Sequence, residues 1–465
     1  MTETRLGAES EDAFAAQLHG GLTRPGDPDY DEVRALFNAM IDRRPALIAR
    51  AADVDDVVAA VNYARDNGLP LAIRGGGHNG AGLGSVDDGL VIDLSGLRSV
   101  EVDPDGRTAT IAGGARLGEV DAATNAHGLA TPGGIISTTG AGGLMLGGGV
   151  GHLTRGAGLS IDNILGAEVV LADGSVVTAN ERENEDLYWA IRGGGGNFGV
   201  VTSITSRLHP IANVFAGPMF WDLEQAGDLM RWYREFILDA PEQLGGFFLF
   251  MSVPPAPPFP EELHLRKVGA VVWCWTGPEE EAGAVLSEAR AQPGLLLDGV
   301  QPMPLPALQS AFDPVYPPGD QWYWRADFVD EIPDDAIARH LEFAEAMPTW
   351  KSSIHLYPID GAAHRVGPTE TPWAYRDANW AQVIVGVDPD PANADAIRSW
   401  TVDYFEALHP YSASGGGAYV NFMMEEGQER VQATYGENYA RLVAVKAAYD
   451  PDNLFHVNQN IRPAA

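Results

Sequence analysis

LAIRGGGHNGAGLG (Leu71–Gly84) opens as a buried strand and closes as a loop. The apolar run Leu71–Ile73 predicts the strand, and it runs directly into Arg74, Gly75, Gly76, Gly77, His78 and Asn79. Glycines are needed where the backbone takes positive φ or approaches something closely. A strand that ends in them offers bare amide groups to an anion, and Arg74 adds positive charge. The loop therefore reads as a cradle for a phosphate or pyrophosphate. At its tip His78 is the one titratable, nucleophilic ring.

Gly75, Gly77 and Gly80 give the spacing G-x-G-x-x-G. In a doubly wound nucleotide fold that turn must open a helix. Here AGLGSVDDG follows, with no apolar period. The spacing recurs at Gly194, Gly196 and Gly199, where VVTSITSRLHP reads as a strand. Both occurrences fail the context test, so a nicotinamide enzyme is the weaker alternative.

Working upstream, Ala46–Arg50 predicts a short strand. Asp53 then caps a helix that stops at Gly68, which makes 46–80 a strand–helix–strand unit. Downstream, Gly89–Leu94 predicts a strand, Val100–Val102 and Thr108–Ile111 a hairpin, and Arg116–His127 a helix ended by Gly128. Residues 131–158, TPGGIISTTGAGGLMLGGGVGHLTRGAG, carry no charge before Arg155. This block is too apolar for a linker and too rich in glycine for an ordinary helix or sheet. It reads as backbone wrapped on an extended ligand, with a tight helix–sheet contact as the alternative. A hairpin turned at Asp173–Gly174, the helix NEDLYWAI and a third glycine cluster follow. After Pro210 aromatics and prolines rise. Residues 211–411 predict an antiparallel sheet with helices on one side, in which Trp322, Tyr323 and Trp324 place an aromatic on both faces of a strand. From 412 the character of the first part returns, with a helix to Tyr449. Asn458 and Asn460 are expected on one strand face, holding a heteroaromatic edge or tying down the chain.

A chain of 465 residues is expected to hold more than one core. The formal net charge of −34 and only three lysines (Lys267, Lys351, Lys446) make nucleic acid and anionic membranes poor partners. They fit an acidic soluble surface or a high-salt cytoplasm. No apolar run approaches a membrane span, and the first residues lack a secretory pattern, so a cytoplasmic protein is expected. Cys274 is alone, which excludes an internal disulfide. The 11 histidines form no metal-binding spacing and no G-x-S-x-G elbow occurs, so neither a metal centre nor a serine hydrolase is expected.

Four stretches, in order, carry a resemblance: RGGGHNGAGLG, PGGIISTTGAGGLMLGGGVGHLTRGAGLSIDN, DLYWAIRGGGGNFGVVT and YDPDNLFHVNQNIRP. The chain resembles the berberine-bridge-enzyme-like branch of the vanillyl-alcohol-oxidase (PCMH-type) flavoproteins, well over 46–210 and 415–465 and in character only between. The resemblance implies an α+β fold: a two-part FAD-binding domain (1–210 and 412–465) and a substrate domain of antiparallel sheet and helices (211–411). It implies FAD contacts at Arg74, Gly75, Gly76, Gly77, His78, Asn79, Gly134, Thr138, Gly140, Gly142, Gly143, Gly147, Gly148, Gly151, Asn163, Gly199, Val200, Asn458 and Asn460. It also implies a covalent bond from His78 to the flavin 8α carbon. A second, cysteinyl link found in many members is ruled out, because Ile136 stands at the cysteine position and Leu144 at a histidine position. Thr139 stands where members carry small apolar residues on the oxygen side of the flavin. Tyr419 with Asn421 is the implied base element, assisted by Arg376. His364, Tyr375 and Trp322–Trp324 are further pocket candidates, and His152 packs inside the glycine block. The expected activity is FAD-dependent oxidation of an alcohol, sugar or amine-type small molecule, with molecular oxygen as acceptor. The alternatives are a dehydrogenase using another acceptor and a flavin-binding protein without turnover.

Overall fold

The computed structural model describes residues 8–464. Three sheets organise it. The first runs, in spatial order, Leu22–Thr23, Leu47–Arg50, Leu90–Asp93, Leu71–Arg74. Its last three strands are parallel, with Ile48 and Ala72 both opposite Val91. The predicted strand–helix–strand unit is present, but Leu90–Asp93 inserts between its two strands. The helix Val54–Asn67 forms where expected. The Asp53 side chain accepts the Asp56 N–H, and Gly68 closes the helix at φ 62°.

The second sheet is antiparallel, in the order Val100–Asp103, Thr108–Ala112, Val200–Arg207, Ile164–Val170, Val176–Asn180. The third has eight strands between Asn213 and Asp388. Its two faces follow from strand alternation. Phe248, Phe250, Ile354, Leu356 and Ile384 point to one face, where the helices Ala226–Asp239, Asp334–Glu345 and Ala394–Leu408 cover them through Tyr233, Ile237, Ile337 and Tyr404. Side chains such as these contribute roughly 1.5–3 kcal/mol each on burial. The alternate residues Phe247, Leu249, Tyr357, Val383 and Val385 point the other way, towards the glycine-rich part of the chain.

Three expectations need correction. The block 131–158 does contain a helix, Ala141–Gly147, because Leu144, Met145 and Leu146 give its glycines an apolar side to bury. The helix expected to reach Tyr449 is broken at Gly436, φ 50°, into Gln428–Tyr435 and Tyr439–Tyr449. Residues 455–464 form no strand, so Asn458 and Asn460 do not share a strand face.

Candidate active site

The glycine clusters do two different jobs. At Gly76 a Cβ would sit 2.2 Å from the Gly140 nitrogen, and at Gly140 one would sit 2.3 Å from the Gly76 nitrogen. The first two glycine loops thus lie backbone to backbone, where no side chain fits. Gly142 is pressed on Gly113 in the same way, its Cβ position 2.5 Å from the carbonyl oxygen. At Gly143, Gly195 and Gly196, by contrast, nothing lies within 4 Å of a Cβ, and all three face a cavity.

That cavity holds about 2040 Å³ of empty space, its mouth included. One wall is Arg74–Asn79 with Gly140, Gly142 and Gly143. A second is Gly194–Asn197 with Gly199, Phe455, Val457, Asn458 and Gln459. The third is the free face of the large sheet: Trp322, Trp324, Ser353, His355, Tyr357, Val383 and Val385. Apolar residues (Leu71, Ile73, Phe455, Val457) line the part near the first sheet, and Val201 of the second sheet lines it too.

A flavin dinucleotide fits these residues. Arg74 uses Nη2 on Asp93, at 2.8 Å, while its Nη1 is buried without a partner. The Asn458 Oδ1 is likewise buried and unpartnered, while its Nδ2 donates to the Gly196 and Phe455 carbonyls. A buried guanidinium nitrogen left unpaired is costly, and a pyrophosphate oxygen is the acceptor it lacks. The open glycine backbones admit a flat or extended ligand at van der Waals range.

His78 faces the cavity from the junction of the two loops. Its ring stacks on Phe37, centroids 3.9 Å apart, with Thr138 Oγ1 3.1 Å from Nε2 and Thr139 Oγ1 3.4 Å from Nδ1. Burial, and then the charge of Arg116, push its pKa down to about 4, against a smaller opposing pull from Thr138. The imidazole is therefore neutral at pH 7, and one of its two hydroxyl-paired nitrogens carries the lone pair that bond formation needs. Thr139 stands beside this ring.

Tyr419 also lines the cavity, with Asn421. Its hydroxyl accepts the Gly149 N–H at 2.8 Å and the Asn421 Nδ2–H at 2.7 Å. Burial pushes its pKa up to about 12, against these two hydrogen bonds. That is opposite to what proton abstraction at neutral pH needs. Asn421 also donates to the Leu144 carbonyl, so the pair pins the end of the glycine-block helix.

Arg376 is corrected outright. It is 2% exposed and does not line the cavity. Its Nη1 and Nη2 donate to Asp162 at 2.9 and 2.7 Å, and to the Ala363 carbonyl and Thr371 Oγ1. Other expected FAD contacts stand behind the cavity wall. Thr138 supports His78. Gly147 abuts Asn421, Gly148 abuts Trp373 and Tyr419, and Gly151 abuts the Gly133 and Gly134 carbonyls. Asn163 donates to the Ala157 and Leu159 carbonyls, Val200 packs in the core of the first sheet, and the Asn460 carbonyl accepts from Gln428. Of the further candidates, Trp322 and Trp324 line the cavity. His364 is tied to the Ala378 carbonyl and Tyr375 to the Ala433 carbonyl. His152 is buried beside Phe247, its pKa pushed down to about 3 by burial.

Sequence reasoning missed Tyr316, Phe422 and the row Ser353, His355, Tyr357. His355 Nδ1 lies 2.6 Å from Tyr357 Oη, and its Nε2 lies 3.1 Å from Ser353 Oγ. The signal was in SIHLYP: polar groups at every second position of a strand otherwise fit for a core.

Comparison with known proteins agrees with this geometry. The FAD binding domain family matches residues 45–180, and the berberine and berberine-like family matches residues 418–462. An FAD-linked oxidoreductase of Dictyostelium discoideum is 30% identical, over 97% of this chain and 96% of its own. The (R)-6-hydroxynicotine oxidase of Paenarthrobacter nicotinovorans is 31% identical, over 97% of this chain and 98% of its own. The crystal structure of a xylooligosaccharide oxidase from Myceliophthora thermophila, in complex with xylobiose, superposes with a TM-score of 0.84 at 25% identity, over 98% of this chain and 100% of that one. Fold and site together define an FAD-dependent oxidoreductase. More narrowly, the chain belongs to the berberine-bridge-enzyme-like oxidases of the vanillyl-alcohol-oxidase superfamily.

Proposed function

We propose that this protein is an oxidase that carries FAD on a single covalent bond to His78 and oxidises an alcohol, amine or sugar-type small molecule, with molecular oxygen as final acceptor. The observation that carries the reading is His78 itself: a neutral imidazole, stacked on Phe37 and held at both nitrogens, facing the cavity where the two glycine loops touch. Bound FAD supplies a two-electron acceptor for hydride from the substrate carbon, and an imidazole on its 8α carbon makes it a stronger oxidant. The chain's own residues do the rest. Arg74 offers its free Nη1 to the pyrophosphate. Gly143, Gly195 and Gly196 leave room at the backbone, and Asn458 turns an unpaired amide oxygen to the same space. Tyr419 and Asn421 hold the helix Ala141–Gly147 against the cavity. In this reading 1–210 and 412–465 hold the cofactor, and 211–411 present the substrate.

The test is mass spectrometry of the acid-denatured chain. The unaltered protein is expected to carry the mass of one FAD, and His78→Ala none, while peroxide release is assayed against a panel of alcohols, amines and sugars. Denatured wild-type chain of bare polypeptide mass would remove the covalent link. Peroxide absent while an artificial acceptor is reduced would make it a dehydrogenase.

A further inference from the structure

The walls of the cavity carry one formal charge. Arg74, already paired with Asp93, is the only Arg, Lys, Asp or Glu among the described residues that line it. This is notable in a chain of net charge −34. An alkylammonium substrate placed there would lose its hydration and meet no carboxylate, and an anion would meet no cation on the sheet side. Either is costly. The sheet wall is instead aromatic and aliphatic. Trp322 and Trp324 lie with centroids 6.0 Å apart and edge to face, flanked by Val383 and Val385. Cross-strand registers set Trp324 beside Val385 and Ser353 beside Val385, so the indole and the polar row are neighbours on one face. A sugar, with hydroxyls on every side, would leave most of them unpaired against such a wall. Polar atoms on this wall are few: the row Ser353–His355–Tyr357, Tyr316 alongside, and the unpartnered indole N–H groups of Trp322 and Trp324.

We propose that the substrate is an uncharged aromatic alcohol, seated against Trp322 and Trp324 with its hydroxyl on the Ser353–His355–Tyr357 row, and that this row takes the hydroxyl proton. The inference rests on the flavin oxidase reading above. The carbinol C–H breaks and its hydride, with two electrons, goes to FAD. The O–H breaks and its proton goes through the Tyr357 or Ser353 hydroxyl to the His355 imidazole. The C–O bond becomes C=O.

Both His355 nitrogens have hydroxyl partners, so in either tautomer the nitrogen with the lone pair faces a hydroxyl that can hand it a proton. Burial pushes its pKa down to about 3. It is a weak base for a resting alcohol. It is ample for a hydroxyl whose carbon has lost hydride, since a proton on a carbonyl oxygen is far more acidic than an imidazolium. Proton transfer is therefore late and follows the hydride. The titratable neighbours are Tyr357 on its own strand, Tyr316 with the Lys351–Asp320 pair beyond it, and Tyr419 next to Tyr357. His152 faces it across Phe247. Burial raises the three tyrosines and lowers both histidines, so none of these rings changes charge between pH 5.5 and 8.

The experiment uses the flavin-loaded protein, with flavin absorbance recorded first. A chain that purifies without flavin overturns the oxidase reading and leaves this one to the binding arm. Binding is read by tryptophan quenching with 1-indanone, protonated 1-aminoindane and xylobiose at pH 7. The ketone is expected to bind at least about tenfold more tightly than the other two. Equal or tighter binding of the ammonium or the sugar overturns the substrate class. The second arm is anaerobic bleaching of the flavin by 1-indanol. His355→Gln and, as the smaller change, Tyr357→Phe are expected to slow it by about 100-fold or more, with the 1-indanone dissociation constant within about threefold. The parent rate is expected to stay flat from pH 5.5 to 8. Variants that bleach at the parent rate, or a parent rate that falls on the acid side of that range, overturn the proton role.

Discussion

Replacing Arg376 separates a structural ion pair from an active-site one. The guanidinium is 2% exposed and its partner Asp162 7%, joined through two hydrogen bonds of 2.9 and 2.7 Å. Arg376→Met leaves the Asp162 carboxylate buried and unpaired except for the Leu159 N–H, at 3.0 Å. Breaking a buried pair on one side costs about 3–5 kcal/mol, whereas removing both charges is often close to neutral. Unfolding entropy of about 2.1 cal/mol/K per residue gives roughly 1 kcal/mol/K for a chain of this length. The single variant should therefore melt about 3–5 °C lower, and Arg376→Met with Asp162→Asn should recover most of that. Calorimetry on the flavin-loaded proteins measures the melting. Stopped-flow bleaching of the flavin, scaled to bound FAD, measures the chemistry, which should change by less than about threefold in the double variant. A double variant that melts like the parent but has lost bleaching by about 100-fold would refute the structural assignment and return Arg376 to the mechanism.

Two further outcomes follow from packing and burial. Gly76→Ala drives a Cβ to 2.2 Å from the Gly140 nitrogen, while Gly143→Ala meets nothing within 4 Å. The first should destabilise the chain by about 1–3 kcal/mol in urea titrations. The second should leave the fold intact and lower the flavin-to-protein absorbance ratio, and the reverse pattern would contradict the two jobs assigned to the glycines. His78, pushed down to about 4, and His152, His340 and His355, each pushed down to about 3, stay neutral in the fold while the unfolded chain protonates near 6.5. Unfolded chain thus binds more protons between those values, so this stability is complete above 6.5 and is lost as pH falls towards 4. Asp121, pushed up to about 7 by burial, and His19 and His409, raised by their hydrogen bonds to Asp53 and Asp327, oppose it, but the four lowered histidines outnumber them. The urea midpoint should drop between pH 7 and 5, and a rise would show that the histidines are not held neutral.

The cofactor half was legible because its function is written in backbone conformation. Gly75–Gly77, the cap at Asp53 and the stop at Gly68 are local signals, and each fell where the chain needed it. What misled was the assumption that glycine density means ligand contact. Gly76 and Gly140 are small because they touch each other, and Gly147, Gly148 and Gly151 make room for Asn421, Tyr419 and other backbone. A pairing between residues 64 apart in sequence leaves no local trace. Arg376 failed for a related reason: its partner Asp162 lies 214 residues away, and nothing in PWAYR announces it. The sheet wall of the cavity was half legible. Trp322, Tyr323 and Trp324 signalled two different faces, and Tyr323 does turn away from the cavity, towards Arg325 and Arg398. The polar alternation in SIHLYP went unread because strand runs with one histidine and one tyrosine are common in cores.

Lys446 has a consequence for how the protein is made. Its ammonium, wholly buried, donates to Asp450, to the Asn197 carbonyl and to the Phe455 carbonyl, lashing the third glycine cluster to the stretch 455–459. Those late residues line the cavity proposed above to hold the cofactor. A ribosome adding about 5–20 residues per second takes on the order of ten to fifty seconds to travel from the third glycine cluster to Phe455. During that interval the sheet wall (322–385) is still being made, and the second wall lacks its latch until the end. Flavin capture is thus a late event in the life of the polypeptide, and any truncation before Lys446 should yield a colourless product, however well its first 200 residues fold.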